Sequence, residues 1–242
     1  MSISARLSIA WESSPKPDEK TSTMVLSTPS ERFVDVRPLL TPRGDFPFEW
    51  AFAGSARLLA PDGSQIEFSH DFFDSEYIRR WCECRKLELA GQTVQYPLKS
   101  DIPKDIGHFE TLQDGTRRET GAMHNAASGK VEQYEERWVT LDPWKTTPQH
   151  KVQAGSTVAA ESRLFDVKNG GEGRFVRVGN WAQGVFWNKD NLDTPISVLR
   201  VFFDGHWNPV LQHGDCSMFP VGENPAVGAT ISRGPVTWEV LE

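Results

Sequence analysis

A carboxylate lies in the middle of the most aromatic stretch of the chain, FPFEWAFAG at residues 46–54. Glu49 stands there between Phe48 and Trp50, and a carboxyl group buried among rings has a raised pKa and can act as a general acid or base. Because side chains alternate across a strand, Glu49 is predicted to face away from the aromatic residues. The sequence therefore favours a plainer role, a Glu at the surface or at a domain interface that pairs with an arginine.

Two further groups of polar residues have the chemistry of a site. Glu119 and His124 fall at the end of a predicted strand and are expected to line the mouth of a barrel. His70, Asp71 and Asp74 combine an imidazole with two carboxylates, but closing a strand and capping the next element explains them better. These residues alone predict no catalytic centre.

The cysteines and glycines complete no known motif. Cys82 and Cys84 flank one residue, whereas a structural zinc site normally needs four ligands and a C-x₂₋₄-C spacing. The Gly-rich segment 168–174 lacks the Gly-Lys-Ser/Thr ending of a phosphate loop and is predicted to be a hairpin turn. Neither a Gly-x-Ser-x-Gly elbow nor a His-Glu-x-x-His motif occurs in the sequence. We therefore predict no metal and no cofactor.

Composition narrows the class of protein. The 242 residues carry a formal net charge of −7, which disfavours a nucleic-acid-binding surface. Nine Trp and 14 Phe indicate that rings supply much of the core volume, as suits sheet faces and barrel interiors. Three Cys, an odd number without framework spacing, are typical of a reducing compartment. Because we find no signal peptide and no run long enough for a membrane span, we expect a soluble protein of the cytoplasm or nucleus.

Apolar alternation predicts strands as the elements that would position these groups. In residues 46–54 the pattern puts four rings on one face, those of Phe46, Phe48, Trp50 and Phe52. In residues 3–11 it puts four apolar side chains on one face, those of Ile3, Leu7, Ile9 and Trp11. Turn residues between apolar runs, as at 28–30, 61–64 and 114–115, predict antiparallel hairpins. The fold class is therefore mostly β.

Residues 71–92 fit two structures. Their aromatic residues follow a helical spacing, with Asp74 or Ser75 as a cap at the start and Gly91 as a stop. The same aromatic residues would also suit strands. Helix and strand both stay open at this point.

A polar segment with two prolines, 142–156, divides the chain. We predict an N-terminal unit at residues 1–145, a linker at 146–155 and a C-terminal unit at 156–242. Each unit ends in a strand that contains a Trp. Two similar all-β units are the expected organisation.

Several short motifs in the same order resemble the fungal HRI family, proteins named for interacting with a casein kinase 1. They are FPFEWAFAG at 46–54, Glu-Thr-Gly-Ala at 119–122, Gly-x-Trp-x-Gln-Gly at 179–184 and Trp-Glu-Val at 238–240. The resemblance implies two consecutive lipocalin-like antiparallel β-barrels and a location in cytoplasm and nucleus. It implies a kinase of the casein kinase 1 type as a partner, no catalytic residues and no established biochemical activity.

Three functions fit these observations. The first is a non-enzymatic interaction protein, the second binds a small apolar ligand in a barrel cavity, and the third is a cofactor-free cyclase or isomerase of fungal metabolism. Neither nucleic acid nor a membrane is an expected partner. The residues predicted to contact a ligand are Glu49, Trp50, Phe52, Glu119, His124, Trp181 and Gln183.

Overall fold

Antiparallel strands make up most of the chain. The computed structural model describes residues 1–149 and 160–242, and the mostly β prediction is confirmed there. The first half contains the α-helix α1 (Ser75–Leu89) and the strands β1 (Ser2–Trp11), β2 (Ser14–Asp18), β3 (Met24–Ser27), β4 (Arg32–Pro38), β5 (Phe48–Leu58), β6 (Gln65–Asp74), β7 (Asp105–Thr111), β8 (Arg117–Asn125) and β9 (Lys130–Leu141). The second half contains the strands β10 (Ala160–Asn169), β11 (Glu172–Gly179), β12 (Trp181–Trp187), β13 (Ile196–Phe203), β14 (Trp207–His213), β15 (Thr230–Arg233) and β16 (Val236–Val240).

The first half closes into an eight-stranded barrel. Its strands follow the order β1-β3-β4-β5-β6-β7-β8-β9, and β9 pairs back onto β1, for example through Thr140 and Ser4. Strand β2 is a short arm that pairs with β1 outside this ring. An eight-stranded barrel is just wide enough to be filled by side chains or to hold one small ligand. The hairpin predicted around residues 28–30 is present as β3 and β4.

The second half is one sheet of seven described strands, in the order β14-β13-β12-β11-β10-β16-β15. The rings of Phe186 on β12 and Trp238 on β16 lie 6.3 Å apart between centroids. In a flat sheet these strands, three places apart, would be separated by about 14 Å. The sheet is therefore rolled around the apolar cluster that contains both residues.

A single apolar core joins the two halves. Val34, Val36 and Ala51 on the outer wall of the barrel are fully buried in one cluster with Val176 and Val185 of the second sheet. Since both faces of the second sheet are covered, its central strands β11 to β13 are buried along almost their whole length. Residues 150–155 of the predicted linker lie outside the described residues, and the predicted unit limits at 145 and 156 stay a prediction.

A bulge in β5 separates the rings that were expected to share a face. The register with β4 slips between Phe48 and Trp50, so Glu49 is an extra residue there. Trp50 and Phe52 face the barrel interior, whereas Phe48 packs outside in the core shared with the second half. The prediction of one aromatic face was wrong because alternation holds only while the register is regular.

A second bulge interrupts β1. The register with β9 slips between Arg6 and Ser8, and Leu7 between them is 46% exposed. Ile3 packs towards the second half, whereas Trp11 faces the barrel interior and contacts Tyr134 with its ring. The four apolar side chains predicted to share a face in this segment therefore lie on different faces, and the prediction was wrong.

Residues 75–89 form the helix rather than strands. Asp74 caps its start, because Asp74 Oδ1 accepts a hydrogen bond of 2.8 Å from the backbone N–H of Tyr77. Gly91, with φ +82°, follows the last turn, where a residue with a Cβ would be strained. The helix buries Ile78 and Cys82 in the shared core. Within the described residues, no helix has the length and apolar character to span a membrane.

Candidate functional site

A cleft of about 600 Å³ opens at one end of the barrel. Its rim is built from the β1–β2 arm, the first turn of α1, the connection 97–103 and the β8–β9 turn. Its floor is formed where β4 and β6 end and β5 begins. The opposite end is filled by the rings of Phe33, Phe52, Phe68 and Phe109, whose neighbouring centroids lie 5.9–6.1 Å apart. The barrel is therefore closed at one end and open at the other.

Apolar side chains form much of the cleft wall. Trp11 and Ile9 line it from β1, Trp50 from β5, Leu98 from the long connection and Met123 from β8. The two bulges create this wall, since they turn Trp11 and Trp50 inwards. Charged and polar side chains occupy much of the rim and the floor, so the cavity has the size of a small-molecule site and combines apolar walls with many polar groups.

A histidine at the cleft floor is held by an aspartate. His70 is 1% exposed, and its Nδ1 lies 2.9 Å from Asp74 Oδ2. The same oxygen accepts a hydrogen bond of 3.1 Å from Trp50 Nε1, while Asp74 Oδ1 caps α1. Three hydrogen bonds thus fix the carboxylate, and the carboxylate fixes the imidazole orientation.

The other nitrogen of His70 is enclosed and faces Asp105. Within the described part of the chain, His70 Nε2 makes no hydrogen bond, although Asp105 Oδ2 lies 3.6 Å away. Burial by itself lowers the pKa of the imidazole, but the carboxylates of Asp105 and Asp74 outweigh it and raise the pKa of His70 to about 9. At neutral pH His70 is therefore a cation, and its enclosed Nε2 faces the carboxylate of Asp105 at the floor of the cleft.

Below this floor lies a layer of ion pairs around Arg6. Its guanidinium is buried and binds three carboxylates, those of Glu136 at 2.6 Å, Glu19 at 2.8 Å and Glu49 at 3.0 Å. The pKa of Arg6 is raised, because these carboxylates outweigh the effect of burial. Glu49 thus belongs to a structural network, and its side chain remains 41% exposed at the cleft edge.

Arg37 connects this layer to the cleft. It binds Asp35 Oδ2 through Nε at 3.1 Å and through an Nη at 3.0 Å, and its guanidinium lies 5.3 Å from the centroid of the Trp50 ring and 5.2 Å from that of Phe52. Trp50 therefore has the Arg37 guanidinium against its ring and the Asp74 carboxylate at its indole N–H. The Trp50 side chain in the cleft wall is thus contacted on its ring and at its N–H.

Glu119 is a buried acid deeper in the barrel. Burial, followed by the negative charge of Glu136, raises the pKa of Glu119 to about 8. The hydroxyl of Tyr134 donates a hydrogen bond of 2.9 Å to Glu119 Oε1. At neutral pH this carboxyl group carries a proton, which limits the negative charge enclosed in the barrel.

The structure brings several of the predicted ligand residues together. Glu49, Trp50 and His124 line the cleft. Phe52 lies deeper in the same barrel, among the phenylalanine rings that fill its far end. Glu119 also lies deeper, near Glu136 and Arg37 of the ion-pair layer. Glu49, Trp50, Phe52 and Glu119 therefore share one interior, whereas His124 is exposed at the rim beside the β8–β9 turn.

The other two predicted residues lie between the halves, away from the cleft. Trp181 is 1% exposed, and its Nε1 donates to the carbonyl of Thr146 at 3.0 Å. Gln183 is fully buried, and its Nε2 donates to the carbonyls of Met24 and Val34 on the barrel wall at 3.0 Å each. Both residues join the second sheet to the first half.

Sequence reasoning assigned His70 and Asp74 to capping and missed Asp105. Asp74 does cap α1, and in addition it holds His70 in the cleft. The spacing of four residues between His70 and Asp74 was visible in the sequence. Asp105, in contrast, is brought close to His70 only by the pairing of β6 with β7. Among the described residues, no three His, Cys, Asp or Glu side chains are placed to hold a metal ion.

Comparison with known proteins gives consistent results over the whole chain. A family model described as Protein HRI1 matches residues 2–242. Protein HRI1 of Saccharomyces cerevisiae strain S288c is 23% identical over 249 residues, which cover 97% of this chain and 96% of the relative. The protein of the same name in strain YJM789 is 22% identical with the same coverage.

A solved structure shares the fold. The crystal structure of the uncharacterized protein YLR301w from Saccharomyces cerevisiae superposes with a TM-score of 0.76 at 21% identity. The match covers 100% of this chain and 98% of that one. At this identity the similarity shows the architecture alone.

Proposed function

The chain belongs to the HRI1 protein family, and from that premise and the barrel geometry we propose that it binds a small, mostly apolar molecule in the cleft. The body of the ligand packs on the wall formed by Trp11, Trp50 and Met123. Its polar end lies at the floor, beside Asp105. The other end of the barrel, filled by phenylalanine rings, sets the depth to which the ligand enters.

One observation carries the proposal. A cleft of about 600 Å³ opens at one end of the barrel and is walled by Trp11, Trp50 and Met123. A cavity of this volume, with large apolar side chains on its wall and polar groups at its floor, is of the size that holds a small molecule.

The surrounding contacts support a preformed site. Asp74 binds His70, Trp50 and the start of α1 at once, so the floor and one wall are held before a ligand arrives. Preorganisation of this kind lowers the entropic cost of binding. The kinase partner, the location in cytoplasm and nucleus, and the cyclase or isomerase activity stay predictions.

The test is titration with a neutral apolar dye, N-phenyl-1-naphthylamine, which fluoresces strongly in apolar surroundings. We expect saturable binding of one dye per chain. In Ile102→Glu a charge enters the cleft wall, and we expect the affinity for the dye to fall by about tenfold, because a carboxylate resists burial beside an apolar ligand.

The matched control is Ile106→Glu, at an exposed position on the outer side of β7. It adds the same charge four residues away, and we expect it to leave the dye affinity unchanged. Absence of saturable binding to the unaltered protein, or equal losses in both variants, would contradict the proposal.

A further inference from the structure

Carboxylates outnumber cations in the ion-pair layer under the cleft. The guanidinium groups of Arg6 and Arg37 lie within ion-pair distance of four carboxylates, those of Glu19, Asp35, Glu49 and Glu136. Burial raises the pKa of Asp35, but the other three carboxylates still exceed the two guanidinium groups. The layer therefore carries an excess of negative charge.

The contacts around His70 have the same imbalance. Its imidazolium lies 2.9 Å from Asp74 Oδ2 and 3.6 Å from Asp105 Oδ2, so one positive charge is shared by two carboxylates. The neighbouring Glu119 responds to the excess, because the negative charge of Glu136 adds to burial in raising the pKa of Glu119. The floor of the cleft is thus a region of negative potential.

The rim of the cleft does not offset this charge. It carries three basic and three acidic side chains, all of them exposed: Lys16, Lys20, Arg80, Asp18, Glu76 and Asp101. Lys20 and Asp18 pair with each other at 3.5 Å. Since the formal charges of the rim cancel, the floor decides which sign of charge the cleft attracts.

Two of the floor carboxylates are accessible from the cleft. The side chain of Glu49 is 41% exposed and that of Asp105 is 19% exposed, and both line the cleft. Arg6 binds Oε2 of Glu49, and His70 faces Oδ2 of Asp105. The second oxygen of each carboxylate is therefore left for a ligand.

The wall beside these carboxylates is aromatic. Trp50 follows Glu49 in β5, and its ring meets the ring of His70, the neighbour of Asp105, at 4.8 Å between centroids. Trp50 and Trp11 both line the cleft. Indole rings attract cations through their faces, so the wall and the floor favour the same sign of charge in a ligand.

We propose that the ligand is an organic cation, an apolar body that carries one ammonium group, and that Glu49 and Asp105 attract this group to the cleft floor. The inference rests on the proposed binding function and specifies the chemistry of the ligand. A ligand with a carboxylate or phosphate group would instead meet the excess of negative charge. The apolar body of the ligand packs on Trp11, Trp50 and Met123.

The test compares three probes that share one ring system and differ in the charge of the polar group. 1-Naphthylmethylammonium, 1-naphthalenemethanol and 1-naphthoate each compete with the bound dye N-phenyl-1-naphthylamine at pH 7. We expect the ammonium to bind about tenfold more tightly than the neutral methanol, as one charge-assisted contact provides. Naphthoate should bind more weakly than either.

Variants of the two carboxylates provide a second measurement. Glu49→Gln and Asp105→Asn keep the size of each side chain and remove its charge. We expect each to reduce the preference for the ammonium from about tenfold to about threefold or less, while dye binding reports whether the cleft is intact. The control Asp62→Asn removes a carboxylate from the exposed β5–β6 turn, at the filled end of the barrel, and should preserve the preference.

The outcomes separate the two levels of the proposal. If neither the dye nor any of the three probes binds, the binding function itself fails. If the methanol binds as tightly as the ammonium, or if naphthoate binds most tightly, the function stands and the cation inference is wrong. An unchanged preference in both Glu49→Gln and Asp105→Asn, with dye binding intact, would likewise overturn the inference.

Discussion

Asp74 Oδ2 lies 2.9 Å from His70 Nδ1, and through this contact the carboxylate that caps α1 also fixes an imidazole at the floor of the barrel. The last residue of β6 therefore has two roles: it caps the start of the helix, and it orients an imidazole at the floor of the cleft. Any change at Asp74 is expected to alter both. The two roles can be separated by changing His70 instead.

We predict that His70 makes stability depend on pH. Its folded-state pKa of about 9 lies above the ordinary value of 6.5, so its stabilising effect is fully present below pH 6.5 and is lost as pH rises to 9. Since the side chain is nearly fully buried, the shift corresponds to about 3 kcal/mol. Urea denaturation at pH 6 and pH 9.5 should show the advantage of the unaltered protein over His70→Gln shrinking by about that amount.

The control for this prediction is His206→Gln. His206 is exposed in the β13–β14 turn, where its side chain is 77% accessible. Its replacement should change the free energy of unfolding by less than about 0.5 kcal/mol, as is usual for an exposed side chain. If the free energies of unfolding of the unaltered protein and His70→Gln differ by the same amount at pH 6 and pH 9.5, the Asp74 and Asp105 carboxylates do not raise the pKa of His70.

We predict the same direction of pH dependence for Glu119. Its folded-state pKa of about 8 is above the ordinary 4.5, so the protonated acid stabilises the fold below pH 4.5, and this contribution is lost as pH rises through 8. Glu119→Gln keeps an acceptor for the Tyr134 hydroxyl but cannot ionise. We expect the variant to gain at least about 1 kcal/mol relative to the unaltered protein between pH 5 and pH 8.5.

Denaturant midpoints across that pH range provide the measurement. Glu110→Gln, at an exposed position on β7 where Glu110 pairs with Arg118, is the matched control and should run parallel to the unaltered protein. Parallel curves for Glu119→Gln as well would mean that the carboxyl group is already charged at pH 5.

We predict that Arg200 and Gln183 act as one unit between the halves. Arg200 Nε donates to Gln183 Oε1 at 2.6 Å, and its Nη atoms donate to the carbonyls of Ser22 and Val36 at 3.0 Å each. Burial lowers the pKa of Arg200 to about 10, so the ion itself is costly to bury. Arg200→Met should nevertheless destabilise the protein by about 3 kcal/mol, because buried acceptors lose their donor.

A double-mutant cycle tests the coupling. The combination of Arg200→Met with Gln183→Leu should cost less than the sum of the single changes by about 1 kcal/mol or more, measured by urea denaturation. Lys168→Met, which breaks an exposed ion pair with Glu239, should cost less than about 0.5 kcal/mol. Additive single effects would show that the two residues act independently.

We predict that Gly54 cannot be replaced. A Cβ at this position would lie 1.7 Å from the backbone oxygen of Ser69, where β5 crosses β6 at a bulge. Gly54→Ala should therefore displace β6 and cost more than about 4 kcal/mol, or prevent folding. Thermal denaturation and soluble yield measure the effect.

Gly44→Ala is the control for the steric argument. Gly44 has φ +70°, but a Cβ there would meet no heavy atom of the described residues within 4 Å. Backbone strain alone should cost about 1 kcal/mol. A similar cost for both variants would mean that the β5–β6 contact relaxes to admit a side chain.

Local chemistry in the sequence predicted the β class and the hairpins, and it offered Asp74 as one of two caps for a helix that it left open against strands. These features depend on residues that are close in the chain, such as the turn at 28–30 between β3 and β4. Periodicity could not reveal the bulges at Leu7 and Glu49, because an extra residue is invisible until the partner strand sets the register.

The candidate site depended on contacts between distant residues. Asp105 reaches His70 because β7 pairs with β6, and Arg6 reaches Glu136 because β9 closes the barrel onto β1. Which rings point inwards, and hence the open and filled ends, followed from that closure. The sequence by itself determined the strands and their chemistry, and the tertiary structure alone decided which side chains meet, because register and closure are properties of strand pairs.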